Sequence, residues 1–331
     1  MSRRLKMADV ARIAGVSVTT VSRALAGSAL VTEETRGRIE DAVQRTGYVV
    51  NNIAANLRTQ RSRQILAMVP SIANPFFPGV LLGLEEELAG QGFSLLVGNT
   101  GNTAGREADL ARQLLTGNVD GLVLLTGRQP ELLGPIAQQK RIVAISERIP
   151  RHRIPTVGID NVAAAEAMVQ HLRRLGHGAI AHIAGPEGNV LTAQRRSGYE
   201  RALGEGVAPM VAGGDFTIAS GEAAMARLLR RRGRFSAVFC SNDEMAIGAI
   251  KTAKAAGLRV PQDMSIAGFD DIEFAAAYDP ALTTIRQPRR AMGRMAAVLL
   301  IEMLEGGNDG SAGITLPYEL VVRGSTGVAP H

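Results

Sequence analysis

From Gln64 onward, short apolar runs alternate with longer amphipathic stretches, and this alternation restricts the possible fold more than any other feature. The apolar runs include ILAMVP, GLVLL and AVFC. Uniformly apolar strands between amphipathic helices are typical of a parallel sheet that helices cover on both faces. Because there are too many such units for one sheet, we predict an α/β fold with two doubly wound parallel-sheet lobes. Ligands of such lobes bind where the strands end.

Residues 6–26 have a different pattern, which predicts two short helices joined by a tight turn. Gly15 is expected to end the first helix in the left-handed conformation, and Ser17 is expected to cap the second. The buried face of the first helix is expected to contain Val10, Ile13 and Ala14. This pattern is typical of a helix-turn-helix, whose second helix enters the major groove of DNA. An ordinary helical hairpin would have the same pattern.

A third helix is predicted between Thr32, as its cap, and Gly47, so the N-terminal region forms a small all-α headpiece. The positive charge is concentrated there. Residues 1–63 contain 11 of the 37 Lys and Arg residues but only 5 of the 31 Asp and Glu residues. The rest of the chain contains 26 basic and 26 acidic residues. A basic segment joined to a neutral body indicates a polyanionic partner for that segment.

Several classes of protein and site are disfavoured by the composition. No run of about 18 apolar residues predicts a membrane span, and no apolar stretch after the basic N-terminus predicts a secretory signal. The single cysteine, Cys240, is expected to be a buried structural thiol. His171, His177 and His182 are not spaced to converge as metal ligands, so we expect no metal and no cofactor. A cytoplasmic location follows from these features.

Several motifs resemble those of the LacI/GalR family of bacterial transcriptional regulators. They include MADVARIAGVSVTTVSRAL and NNIAANLR near the N-terminus, and NPFF, VDGLVLL, CSNDEMAIGAI and VPQDMSIAGFDD further on. The resemblance implies a helix-turn-helix headpiece in residues 1–50, a hinge helix and linker in 51–63, and an effector-binding and dimerisation domain in 64–331. That domain would resemble periplasmic binding proteins, with lobe one in about 64–160 and 288–317, and lobe two in about 161–287 and 318–331.

The resemblance also implies residues that contact a pseudopalindromic, double-stranded DNA operator. Base edges in the major groove would be read by Val18, Thr19 and Arg23. Phosphates would be held by Thr20, Ser22 and Asn51. In the minor groove, Leu57 would wedge into the central base step, and Arg58 would lie beside it.

An effector site is implied at the strand ends of the two lobes. Its expected residues are Asn74, Phe76, Phe77, Arg148, Arg195, Asn242, Asp270 and Gln287. Carboxylate, amide and guanidinium groups suit the hydroxyls of a sugar, and aromatic faces stack on sugar C–H groups or on a base. A pentose, another sugar or a nucleoside would fit this set.

We therefore predict a homodimeric, ligand-responsive transcriptional regulator, most simply a repressor, that is not an enzyme. A solute-binding protein of a sugar transporter would explain residues 64–331 equally well, but it would leave residues 1–63 unexplained. An enzyme acting on sugars or nucleosides is a third interpretation, although no acid–base pair stands out from the binding set. The sequence leaves open the identity of the effector and whether it releases or promotes DNA binding.

Overall fold

The computed structural model describes residues 6–25, 28–48, 61–127, 130–133, 141–147, 149, 154–204, 206–231, 235–307 and 313–330. The chain divides into two units, Met1–Arg61 and Ser62–His331, which are described separately. Within the described residues, no helix is both long and apolar enough to cross a membrane.

The described part of the first unit contains three helices: α1 (Met7–Ala14), α2 (Val18–Leu25) and α3 (Glu33–Thr46). Gly15 ends α1 in the left-handed conformation, with φ of 65°. The Ser17 hydroxyl accepts the backbone N–H of Thr20 at 3.0 Å, and so caps α2. The Thr32 side chain caps α3 in the same way. These turns and caps confirm the predicted helix-turn-helix and the third helix.

The core of the first unit is small, and its largest fully buried side chain is Ile39. Val10 and Val21 are also fully buried. The prediction for Ile13 is wrong, since this side chain is 41% exposed. Ala11 is buried in its place. The buried face of α1 is thus rotated toward the smaller side chain, which lets a neighbouring helix approach closely.

Two arginines of α3 hold the C-terminal ends of the other two helices. Arg38 donates to the carbonyl oxygen of Ala14 at 2.5 Å. Arg36 donates to the carbonyl oxygens of Ala24 at 3.1 Å and Ser28 at 3.0 Å. The last carbonyls of a helix have no partner within the helix, so a cation there both satisfies them and suits the helix dipole. These bonds fix the direction in which α2 leaves the turn.

Lobe one of the second unit is built on a six-stranded parallel sheet. Its strands are β1 (Gln64–Val69), β2 (Ser94–Asn99), β3 (Gly121–Leu124), β4 (Ile142–Ile145), β5 (Thr156–Gly158) and β11 (Ile314–Thr315). Their order across the sheet is β11-β5-β4-β3-β1-β2. Among its described residues, this lobe has the α-helices α4 (Phe77–Gly90), α5 (Ala104–Leu115) and α11 (Arg289–Glu305).

Helices α4 and α11 cross closely because each has a glycine at the crossing. A Cβ atom on Gly83 would overlap the carbonyl oxygen of Arg290, and one on Gly293 would overlap the carbonyl oxygen of Val80. The late segment Arg289–Glu305 is thereby packed against a helix that lies about 200 residues earlier in the chain.

Lobe two has a four-stranded parallel sheet in the order β7-β6-β8-β9. Its strands are β6 (Ile180–Ala184), β7 (Met210–Gly213), β8 (Ala237–Cys240) and β9 (Ser265–Ala267). Its helices are α6 (Asn161–Arg174), α7 (Val190–Leu203), α8 (Ile218–Arg230), α9 (Asp243–Ala255) and α10 (Glu273–Ala277). An antiparallel pair, β10 (Thr284–Arg286) and β12 (Glu319–Val321), completes the unit. Cys240 is fully buried, as predicted.

Side-chain caps set where the first four helices of lobe two begin. In each case a side-chain oxygen accepts a backbone N–H of the first turn, as N-caps do. The capping residues are Asp160, Asn189, Thr217 and Asn242. The helices capped by Asn189, Thr217 and Asn242 each follow the carboxyl end of a strand of the lobe-two sheet, so these three caps gather polar side chains at one edge of it.

Candidate functional site

Helix α2 presents a polar outer face. Its exposed residues are Val18, Thr19, Ser22 and Arg23. Val18, the most apolar of these four, is 47% exposed. Thr20 is half-buried, and its hydroxyl lies 2.8 Å from that of Ser17. The other three residues predicted to contact DNA lie outside the described residues: Asn51, Leu57 and Arg58.

A cavity of about 460 Å³ lies between the strand ends of the two lobes. Seven of the eight residues predicted to bind the effector line it: Asn74, Phe76, Phe77, Arg195, Asn242, Asp270 and Gln287. The eighth, Arg148, lies outside the described residues. The structure therefore brings together side chains that are up to 213 positions apart, from Asn74 to Gln287.

Asp270 and Gln287 form the polar floor of this cavity, and both are buried. The Gln287 amide donates from Nε2 to Asp270 Oδ1 at 2.7 Å. Arg195 Nη1 lies 3.6 Å from the same carboxylate oxygen. Burial raises the pKa of Asp270 to about 6, while the charge of Arg195 and the bond from Gln287 act in the opposite direction. The site therefore holds a carboxylate at a free-energy cost, which a ligand hydroxyl could reduce by donating to it.

Arg195 is only 2% exposed, and contacts within the protein hold its side chain in place. Its Nη1 donates to the carbonyl oxygen of Ser241 at 2.5 Å, and its Nε donates to Asn161 Oδ1 at 3.1 Å. The guanidinium carbon lies 3.8 Å from the centre of the Phe269 ring. Burial lowers the pKa of this guanidinium, and the nearby Asp270 carboxylate opposes that effect. Its position is thus set by lobe two before any ligand arrives.

Two polar atoms in the cavity wall are buried without a hydrogen-bond partner among the described residues. They are Gln287 Oε1 and Ser146 Oγ. Buried polar groups are nearly always paired, so unpaired ones in a cavity indicate where a ligand or water would bond. Gln287 could accept one hydroxyl here while it donates to Asp270 on its other side.

The apolar wall comes from the start of α4. The rings of Phe76 and Phe77 pack edge to face, with centroids 5.5 Å apart and an interplanar angle of 83°. The Asn74 side chain accepts the backbone N–H of Phe76 at 2.8 Å and so closes this turn. In this position the two rings give the cavity an apolar side beside its polar floor.

The amide of Asn242 is already engaged at both ends. Its Oδ1 accepts the backbone N–H of Met245 at 3.0 Å, and its Nδ2 donates to the carbonyl oxygen of Phe216 at 2.9 Å. Asn242 therefore caps α9 and holds the Phe216 loop at the cavity rim, which is a positioning role that the sequence did not indicate.

Sequence reasoning missed Glu147, which is buried and lines the same cavity. Its Oε1 accepts a hydrogen bond from Asn189 Nδ2 at 3.2 Å, so this bond crosses from lobe one to lobe two. Gly127 makes room for the carboxylate, because a Cβ atom at that position would overlap it. The sequence signal for Glu147 is its position directly after the end of the apolar run that forms β4, beside Arg148, which stays a prediction.

The described cavity lining is acidic. It contains four carboxylates, on Glu147, Glu187, Asp215 and Asp270, and one guanidinium, on Arg195. None of the described residues forms a group of His, Cys, Asp and Glu side chains that could hold a metal ion. The charges favour a neutral or cationic ligand over an anionic one.

A helix-turn-helix unit joined to two α/β lobes around a polar cavity defines a ligand-responsive, DNA-binding regulator. Residues 6–51 match the family model of the bacterial regulatory proteins of the lacI family, and residues 169–326 match that of a periplasmic binding protein-like domain. The chain belongs to the LacI family of bacterial transcriptional regulators.

Proteins and structures similar to this chain match it along nearly its whole length. It is 40% identical to the HTH-type transcriptional repressor CytR of Escherichia coli (strain K12), over 98% of this chain and 97% of that protein. The structure of a transcriptional regulator CelR–cellobiose complex matches with a TM-score of 0.74 and 33% identity, over 97% of this chain and 100% of that chain. The structure of the lac repressor dimer bound to operator and the anti-inducer ONPF matches with a TM-score of 0.87 and 27% identity, over 98% of this chain and 100% of that chain. These matches confirm the predicted fold class and the resemblance on which the function was predicted.

Proposed function

We propose that this protein is a homodimeric repressor whose affinity for a pseudopalindromic operator is controlled by a neutral sugar or nucleoside in the interlobe cavity. The observation that carries the proposal is the polar floor of that cavity. Asp270 is a buried carboxylate whose ionisation burial disfavours, and the Oε1 acceptor of Gln287 beside it has no partner among the described residues. A hydroxyl-rich molecule supplies the donors that both groups need.

The ligand class follows from charge and shape together. A phosphorylated sugar would bring negative charge to a lining whose described residues supply four carboxylates and one guanidinium. A neutral polyol brings hydroxyls that donate to Asp270 and Gln287, while its C–H face, or a nucleobase, lies on the phenylalanines. The matching CelR structure contains cellobiose, which agrees with a sugar-sized polyol in this type of cavity.

A thermal-shift screen tests this assignment. The compounds are D-ribose, cellobiose, cytidine, adenosine, adenine and glucose 6-phosphate, each with the whole protein. A binding sugar or nucleoside should stabilise the fold by about 2.7 kcal/mol at a hundredfold excess over its Kd. Gln287→Ala should abolish that stabilisation, and Gln113→Ala, on the outside of α5, should keep it. Stabilisation by glucose 6-phosphate alone, or by adenine alone, would overturn the assignment.

For DNA recognition, the proposal assigns base contacts to the exposed residues of α2. Arg23 can pair with a guanine through two hydrogen bonds, and Val18 and the Thr19 methyl group can contact thymine methyls. Ser22 and Thr20 are assigned to phosphates, which orient the headpiece. The roles of Asn51, Leu57 and Arg58 rest on the sequence resemblance.

Selection from a random DNA library tests these roles. The wild-type protein should enrich a pseudopalindromic site and bind it in a salt-dependent manner. Arg23→Ala should weaken binding to that site by about 1–3 kcal/mol and relax the base preference at one position of each half-site. Arg45→Ala, an exposed change on α3 with the same loss of charge, should keep the preference. If the wild type enriches no site over random DNA, the regulator proposal is wrong.

Support for the dimer comes from the edge of lobe one. Strand β2 is the last strand of its sheet, and Leu96 and Val97 are exposed on it. Exposed apolar edge strands are normally covered, and a second copy would cover this one. Light scattering should therefore give twice 35.0 kDa, and Val97→Asp should give the monomer mass with unchanged ligand binding. A monomeric wild type would contradict this assembly.

The same proposal places the protein in the cytoplasm, where operators are found, and makes it a binding protein rather than an enzyme. Support for both comes from its match to transcriptional regulators such as CytR. Incubation with each stabilising compound, followed by product analysis, should return that compound unchanged.

A further inference from the structure

The chain enters the second unit through Ser62 and Arg63, and a buried carboxylate receives it there. Asp120 is 8% exposed. Its Oδ1 accepts the backbone N–H of Ser62 at 2.7 Å and the Ser62 hydroxyl at 2.9 Å. Its Oδ2 accepts the backbone N–H of Arg63 at 2.9 Å. One side chain thus takes three hydrogen bonds from two residues that lie 57 and 58 positions before it.

Arg63 is held in an unusual conformation at this point. Its φ is 55°, in the left-handed region that non-glycine residues rarely adopt. Its guanidinium lies 5.1 Å from the centre of the Phe93 ring, and its carbonyl oxygen accepts the backbone N–H of Ser94 at 2.9 Å. Such a conformation persists only when its surroundings hold it in place. The Asp120 carboxylate is therefore part of a tightly determined anchor.

Two strands connect this anchor to the ligand cavity. Asp120 directly precedes β3, and Leu125, Thr126 and Gly127, which directly follow β3, line the cavity. Gln64, the residue after the anchor, begins β1, which pairs with β3 in register. At about 3.3 Å per residue, the anchor and the cavity lie roughly 20 Å apart at opposite ends of the same two strands.

We infer that Asp120 is a positioning residue for DNA recognition, because it fixes the point at which the DNA-binding segment is attached to lobe one. This inference rests on the proposed function. A dimer reads two half-sites at once only if both headpieces start from defined points, since a looser attachment lowers the effective concentration of the second headpiece. Non-specific binding, which depends on phosphate contacts, has no such requirement. Asp120 therefore affects specificity without touching DNA.

The test uses Asp120→Asn in the whole protein, with Asp109→Asn on the outside of α5 as the matched control. An amide nitrogen cannot accept, so at least one donor of Ser62 or Arg63 loses its partner. Amide exchange at Ser62 and Arg63 should accelerate. Affinity for the DNA site that the wild type selects should fall by about tenfold, the scale of one lost hydrogen bond to a charged acceptor. Affinity for random DNA should stay close to that of the control, and the melting temperature of the second unit should fall by only about 3–6 °C, the shift that corresponds to one such lost bond.

A second variant keeps the test informative if Asp120→Asn folds poorly. Ser62→Ala removes one donor and leaves two backbone N–H groups on the carboxylate, so it should lower specific affinity in the same direction by a smaller factor. The inference is overturned if specific affinity is unchanged in both variants. It is also overturned if melting temperature, specific affinity and random-DNA affinity fall together, as a purely structural role would require. If the wild type selects no DNA site, the proposed function fails, and the role of Asp120 in recognition fails with it.

Discussion

Replacing Asp270 with asparagine should change how stability depends on pH. In the folded protein, burial raises the pKa of this carboxyl from 3.8 to about 6. The positive charges of Arg195 and Arg289 oppose the effect of burial because they favour the ionised form of Asp270. Burial also raises the pKa of Asp243, and it raises the pKa of Glu244 to about 7. For both groups the charge of the Asp270 carboxylate is the second cause. Asp270 thus belongs to a group of neighbouring carboxyls whose pKa values burial raises.

The direction and size of the effect follow from proton linkage. Between about pH 4 and pH 6, the folded protein retains a proton on Asp270 that the unfolded chain has already lost. The free energy of unfolding therefore decreases as pH rises through that window, and the full destabilisation by the Asp270 carboxylate is present above pH 6. At 1.36 kcal/mol for each pKa unit, raising the pKa from 3.8 to about 6 corresponds to about 3 kcal/mol. Asparagine has no such titration.

Urea unfolding of the second unit, followed by circular dichroism between about pH 4.5 and pH 7.5, measures this difference. The free energy of unfolding of Asp270→Asn, minus that of the wild type, should increase by about 2–3 kcal/mol across the range. The effects of Gln287 and Arg195 on the ionised carboxylate are already included in the pKa of about 6. The exposed control Asp109→Asn should show no such increase. A constant difference between Asp270→Asn and the wild type at every pH would refute the burial argument.

Three further predictions concern backbone geometry and the hinge. Gly15→Ala should destabilise the headpiece by about 1–2 kcal/mol because φ is 65° there. Gly37→Ala, in the open middle of α3, should stabilise the headpiece by about 0.5–1 kcal/mol. Thermal denaturation of the headpiece measures both changes, and effects of the same sign would contradict this reasoning. Gly293→Ala should destabilise lobe one by about 1–3 kcal/mol through the overlap at the helix crossing. The control Gly90→Ala, which has open space around it, should change the free energy of unfolding by less than about 0.5 kcal/mol in urea titrations. Equal effects of the two changes would argue against the close crossing. Leu57→Ala should weaken binding to the selected operator while leaving random-DNA binding nearly unchanged, and equal losses on both DNAs in a gel shift would rule out the proposed minor-groove wedge.

The sequence predicted the features that repeat with a local period. Apolar runs predicted most strands of the two main sheets, and Gly15 and Ser17 predicted the turn between the first two helices. Strand β7 was missed because MVAG is short and half of it is alanine and glycine, so it has little periodicity. The antiparallel pair β10–β12 was missed because its strands are only three residues each and lie more than 30 positions apart.

For the cavity, the strand ends predicted where polar residues would gather but not every side chain that would point inward. At the end of β4, the structure turns Glu147 into the cavity, and the sequence analysis had not chosen this residue. Side-chain direction at a strand end depends on backbone angles such as the φ of 68° at Ser146, which have no sequence period. Contacts such as that between Asp120 and Ser62 depend on the tertiary fold and cannot be read from spacing.

The bonds from Arg36 and Arg38 to the ends of the first two helices have an evolutionary consequence. They hold α2 through main-chain carbonyls and through arginines of α3, so its orientation depends on none of its outward side chains. Substitutions at Val18, Thr19 or Arg23 can therefore alter the DNA sequence that is preferred at little cost in folding. After a gene duplication, a copy of this headpiece could acquire a new set of target genes through a few surface mutations, while the inherited fold stays intact.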